Sequence, residues 1–134
     1  MQVMKRLYSI LFISLLTTFS MAGDLVSSFK QAAALADAQE RDPATQTYLK
    51  RDLTPYYEHK YSPVFLSCLG LPEHPDTSPF SFVVAIGRDG RVGRLYADHE
   101  TNVFACVRQT LQKDEFPHPP VSPYYWHVSM SFSK

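Results

Sequence analysis

FSFVVAIGRDGRVGRLYADHETNVFACVRQTLQKDEFPHPPVSPYYWHVSMSF, residues 80–132, decides the fold. Two alternating segments, Phe80 to Ile86 and Arg91 to Ala97, flank Arg88-Asp89-Gly90. Asp-Gly in that setting predicts a hairpin, because glycine accepts the positive φ that tight reversals need. Val92 and Leu95 stand three apart, which breaks the period of two and predicts a bulge near Gly93. A helical pattern follows, with Val103, Phe104, Val107 and Leu111 on one side. Phe116-Pro117-His118-Pro119-Pro120 then stops the helix and extends the chain. The last segment alternates: Tyr124, Trp126, Val128, Met130 and Phe132 share one face, and Tyr125, His127, Ser129 and Ser131 share the other. The expected fold is α+β: a three-stranded antiparallel sheet, built from a hairpin, a helix and a final strand, with N-terminal helices packed on it.

These elements, with these residues in them, resemble the C-terminal domain of TonB-type energy transducers. Asp89-Gly90-Arg91-Val92 stands where that family has its DG-x-V turn, Asn102-Val103-Phe104 opens the helix as Asn-x-Phe does there, and Phe116-Pro117 occupies the place of the aromatic-x-Pro exit. Val128-Ser129-Met130-Ser131-Phe132 is similar to the closing strand. Cys68, Cys106-Val107 and Phe116-Pro117-His118-Pro119 fit a cysteine-containing variant found in gliding-motility proteins of the AgmX/PglI type. In the resembling family the last strand is an edge to which a partner's extended peptide adds, so the resemblance implies a pairing strand from Tyr124 to Phe132. An energy transducer also needs a retained membrane anchor and a long Pro-rich segment. The chain reads without either, so the resemblance implies the fold and not the job.

Upstream, Lys5-Arg6 precedes an uncharged apolar run, and Ser20-Met21-Ala22 supplies small residues where a signal peptidase reads. Residues 1–22 are expected to be a secretory signal peptide, cleaved after Ala22. The run from Leu7 to Ala22 is shorter than the roughly 20 residues that span a bilayer, so stable membrane insertion after cleavage is not expected. No Cys stands at the cleavage point, which argues against a lipoprotein. The expected compartment is the periplasm of a Gram-negative envelope.

Residues 23–134 are expected to form one domain, with a helical segment and loop over 23–79 and the core over 80–134. Asp24 is a candidate cap for a helix through Leu25, Phe29, Ala32, Ala33 and Leu35 or Ala36, ending near Arg41-Asp42-Pro43. Its Ala-rich apolar face is narrow, so it is expected to pack loosely or serve as a stalk. Thr54-Pro55 and Ser62-Pro63 each place a capping residue before a proline, which predicts two short helices, Pro55 to His59 and Pro63 to Leu69. Glu73 to Pro79 reads as a polar loop.

Cys68 and Cys106 are the two cysteines of the chain. In an oxidising compartment an isolated pair in a small domain most often forms a disulfide, here stabilising by roughly 3 to 4 kcal/mol. Cys106 as a nucleophile is the weaker reading, because no Cys-x-x-Cys is present.

The full chain carries 13 basic and 13 acidic side chains, and loss of Lys5 and Arg6 leaves a small acidic excess. Arg88, Arg91 and Arg94 cluster only around the hairpin, so a nucleic-acid partner is not expected. His59, His74, His99, His118 and His127 make no metal-ligand spacing, and five glycines leave little room for a phosphate loop or nucleophile elbow. Nothing in the sequence points to a cofactor, and no catalytic residue is assigned. A small hydrolase using His59 or His99 beside an acidic neighbour is the catalytic alternative.

Tyrosines are abundant, and a rigid ring with a polar tip suits a protein interface. The expected function is non-catalytic binding of a periplasmic or envelope protein or peptide, through the last strand edge or the tyrosines. Tyr124, Tyr125, His127, Ser129 and Ser131 are the candidate partner-binding residues. An immunity protein that neutralises a periplasm-acting toxin is the alternative, and a homodimer is compatible with so small a sheet.

Overall fold

A computed structural model describes residues 26–133. The signal-peptide segment and the Asp24 cap expected from the sequence lie outside the described residues. The strands are β1 (Phe80–Ile86), β2 (Val92–Ala97) and β3 (Tyr124–Met130), in the antiparallel order β2-β1-β3. Helix α1 covers Phe29–Arg41, α2 Pro43–Tyr48, α3 Thr54–Gly70 and α4 Asn102–Lys113, with a π-helical turn at Leu49–Leu53 between α2 and α3.

The hairpin turns as its residues require. Gly90 has φ 82°, and the Asp89 carboxylate accepts from the Arg91 N–H. A side chain at Gly90 would place its Cβ 2.0 Å from the Phe116 carbonyl oxygen, so that position needs glycine for space as well as for φ. The register passes from Ala85 opposite Arg94 to Ile86 opposite Val92, leaving Gly93 as the extra residue of the expected bulge. Strand β1 is buried along both faces, because the sheet is covered on both sides.

On one side, Phe80, Phe82, Val84, Ile86, Tyr124, Trp126 and Val128 meet the inner faces of α3 and α4. Val103, Phe104, Val107 and Leu111 of α4 are all fully buried there. The Cys68–Cys106 disulfide joins α3 to α4 with a Cα–Cα distance of 5.6 Å, the pairing expected from the sequence. On the other side, Ala32 and Ala36 of α1 pack against Val83, Ala85 and Tyr96. The alanines are therefore the means of close approach between helix and sheet, and the helix is neither loose nor a stalk. It starts at Phe29, with Ser28 accepting from the Gln31 N–H.

The two short helices expected around Pro55 and Pro63 are one helix. Thr54–Gly70 runs through Pro63, which is solvent-exposed, so the carbonyl that loses its intrahelical donor stands toward water. Tyr61, Phe65 and Cys68 recur at helical spacing and bury both halves in the same core, which outweighs the local break. Pro55 follows the π turn, where the Thr54 N–H reaches back to the Leu49 carbonyl. Among the described residues, no helix is long and apolar enough to cross a membrane.

Candidate functional site

The order β2-β1-β3 leaves β3 at an edge, and hydrogen bonds at both ends of the central strand show which groups point outward. The Gly87 N–H donates to the Arg91 carbonyl and the Asp98 N–H donates to the Ser81 carbonyl, so odd-numbered residues of β1 face β2. Phe80, Phe82, Val84 and Ile86 therefore bond to Met130, Val128, Trp126 and Tyr124. The intervening residues of β3, namely Tyr125, His127 and Ser129, turn their backbone groups away from the sheet. Independently, the Tyr125 N–H donates to the Gln39 side chain at 2.7 Å and not to β1.

Gln39 blocks the start of this edge. Its Oε1 accepts from the Tyr125 N–H, and its Nε2 donates to the Pro123 carbonyl at 3.0 Å, the two bonds a neighbouring peptide group would make. The Gln39 carbonyl is held in turn by the Thr45 hydroxyl and the Asp42 N–H, so the turn from α1 to α2 fixes the cap. Beyond it, no described residue bonds to the outward groups of His127 and Ser129. This is an open strand edge, capped at one end.

The five candidate binding residues divide. Tyr124 is 1 % exposed and lies edge-on to Tyr48 at 5.1 Å, so its side chain belongs to the core. Burial, with a contribution from the Glu40 charge, pushes its hydroxyl up to about 12. Tyr125 is half-buried beneath α1, where burial and the neighbouring Tyr96 raise its hydroxyl. His127 is also half-buried, edge-on to Phe29 at 5.6 Å, with Nδ1 3.7 Å from the Asp37 carboxylate. Ser129 and Ser131 are exposed, and the Ser129 hydroxyl bonds to that of Ser81 at 2.9 Å. The face expected to offer Tyr125 and His127 to a partner is thus roofed by α1, and what β3 offers is backbone.

The tyrosine-rich surface does not form among the described residues. Tyr48, Tyr61, Tyr96 and Tyr124 are buried, and Tyr56, Tyr57 and Tyr125 are half-buried. Two of them, with Lys60, converge on Asp114 at the end of α4. Its side chain is 2 % exposed and accepts from Tyr56 at 2.6 Å, Tyr61 at 2.7 Å, Lys60 at 2.5 Å and the Glu115 N–H at 2.7 Å. Burial acts to raise the Asp114 carboxyl, but these four donors outweigh it and hold the carboxyl below its ordinary value. Burial and the bond to Asp114 push the Tyr61 hydroxyl far up. A buried carboxylate that accepts from Tyr56, Lys60 and the Glu115 N–H at one oxygen and from Tyr61 at the other ties α3 to α4.

Of the residues weighed for a hydrolase, Asp98 accepts from the Ser81 and His99 N–H groups, with the His99 Nδ1 3.0 Å away. His59 is exposed on α3. Among the described residues, no three His, Cys, Asp or Glu side chains gather as a metal site. The sequence reading missed Gln39, Asp37 and Glu40. Their signal is tertiary, since α1 and β3 are far apart in the chain.

No family model, no curated protein and no solved structure matches the chain.

Proposed function

We propose that the protein is an exported, non-catalytic binding domain of the periplasm that recognises an extended segment of another protein by adding it as a fourth strand beside β3. One observation carries this reading: the outward backbone groups of His127 and Ser129 have no partner among the described residues, on a strand whose start is already capped by Gln39. Unpaired donors and acceptors at that spacing are a template for β-augmentation. The edge role and the hairpin-helix-strand order accord with the resemblance to TonB C-terminal domains. The signal-peptide pattern and the disulfide accord with export.

The test is an affinity pull-down from envelope extracts of the source cell, using protein made through a periplasmic route. His127→Pro removes an outward N–H and leaves the β1 ladder intact, so the folded variant should lose a stoichiometric partner. Leu66→Glu, on an exposed position of α3 that is 72 % accessible, should keep it. Retention of the partner by folded His127→Pro would contradict strand addition. The partner's identity, an envelope component or a toxin, then decides between an accessory role and immunity.

A further inference from the structure

The two flanks of the open edge differ in chemistry. On the α1 side stand two carboxylates: Asp37, whose side chain is 53 % exposed, and Glu40, which borders the notch formed with Tyr125 and His127. Among the described residues neither carboxylate is in an ion pair with a lysine or arginine, although Lys30 and Arg41 stand on the same helix, and the Asp37 carboxylate lies 3.7 Å from the His127 ring nitrogen. On the opposite flank, toward α3, the half-buried Tyr57 and Met130 form an apolar shelf. There the Tyr57 hydroxyl lies 3.6 Å from the Met130 sulfur, and its ring stands edge-on to Trp126 at 4.7 Å.

A strand added to β3 sends alternate side chains to these two flanks. Its length is limited as well. Gln39 occupies the outward groups of Pro123 and Tyr125 up to the Tyr125 N–H, leaving pairing room only from the Tyr125 carbonyl to Ser131. Resting on the reading of β3 as a docking edge, we propose that the segment it accepts is an extended stretch of a partner protein, about five residues long, with Lys or Arg at the alternate positions facing α1 and apolar side chains at those facing α3. A second copy of this chain is a poorer occupant. Antiparallel pairing of β3 with β3 about a two-fold axis normal to the sheet would set the Asp37 and Glu40 carboxylates of both copies on one face, where like charges repel.

The test is an NMR titration of backbone-labelled protein at low ionic strength with two blocked peptides, acetyl-KVKVK-amide and acetyl-EVEVE-amide. The lysine peptide should move the His127 and Ser129 amides and bind about tenfold more tightly than the glutamate peptide, as expected for complementary charge at a partly exposed site. In the Asp37→Asn/Glu40→Gln variant the preference should fall to about twofold or less, and added salt should erode it in the parent protein. Equal binding of the two peptides at these amides would overturn the charge selection and leave the edge reading standing. So would a preference that survives in the double variant. Absence of any shift at His127 and Ser129 with either peptide, or dimerisation through β3 in place of peptide binding, would overturn the proposal together with heterologous docking at this edge.

Discussion

Replacing Asp114 with Asn should destabilise the protein by about 3 kcal/mol, because a buried carboxylate that answers several donors is replaced by an amide that presents an N–H₂ group to them. Asp114 meets two tyrosine hydroxyls, the Lys60 ammonium and one backbone N–H at 2.5 to 2.7 Å. Lys60 is itself 38 % exposed and can be rehydrated, so most of the loss falls on the buried Tyr61 hydroxyl and the Glu115 N–H. Urea unfolding followed by Trp126, the single tryptophan, reports on the core directly, since that ring lies against Tyr57 and Phe116. The acid limb supplies an independent check. The Asp114 carboxyl is held below its ordinary value in the folded protein, so its contribution is present above the unfolded carboxyl pKa of about 3.9 and is lost as the pH falls through the lower folded value. Asp114→Asn should therefore flatten the fall in stability on acidification below about pH 4, besides lowering stability at neutral pH. A loss under about 1 kcal/mol with an unchanged acid limb would refute the account of Asp114 as the tie between α3 and α4.

Two other perturbations follow from the same packing. Gly90→Ala should cost at least about 2 kcal/mol in the same urea assay, from the positive φ and the collision with the Phe116 carbonyl, whereas Gly70→Ala, which meets nothing within 4 Å, should be neutral; equal effects would contradict the turn geometry. Removing the disulfide with Cys68→Ser/Cys106→Ser should cost about 4 kcal/mol, as expected for a sequence separation of 38. Two alkylatable thiols in oxidised parent protein made through a periplasmic route would contradict the bond itself.

The hairpin, α4 and β3 were legible because each is written in neighbouring residues: Asp89-Gly90 for the turn, Val103 to Leu111 for the helix, and alternation from Tyr124 to Met130. The bulge at Gly93 was legible for the same reason, since one misplaced apolar residue shifts the pattern. What failed was long-range. Val83 and Ala85 already make β1 apolar on both faces, a sign that something covers the second face, but nothing local identifies α1 as that cover. Pro63 signals a break, and the shared burial of Tyr61 and Phe65 overrides it. Tyrosine abundance suggested a surface, whereas the rings fill a small core and direct their hydroxyls to Asp114, Pro117 and Val26. At the site, the edge strand was readable, but the Gln39 cap and the Asp37 and Glu40 flank are not. They reach β3 only after the chain has wrapped around the sheet.

Amide hydrogen exchange along β3 in the free protein reads the open edge residue by residue. An edge open beyond Gln39 should show alternation: slow exchange at Trp126, Val128 and Met130, whose N–H groups face β1, and fast exchange at His127 and Ser129, whose N–H groups face outward, with Tyr125 protected by Gln39. Strong protection at both His127 and Ser129 would mean that the edge is already covered, and docking of a partner strand on β3 would be contradicted.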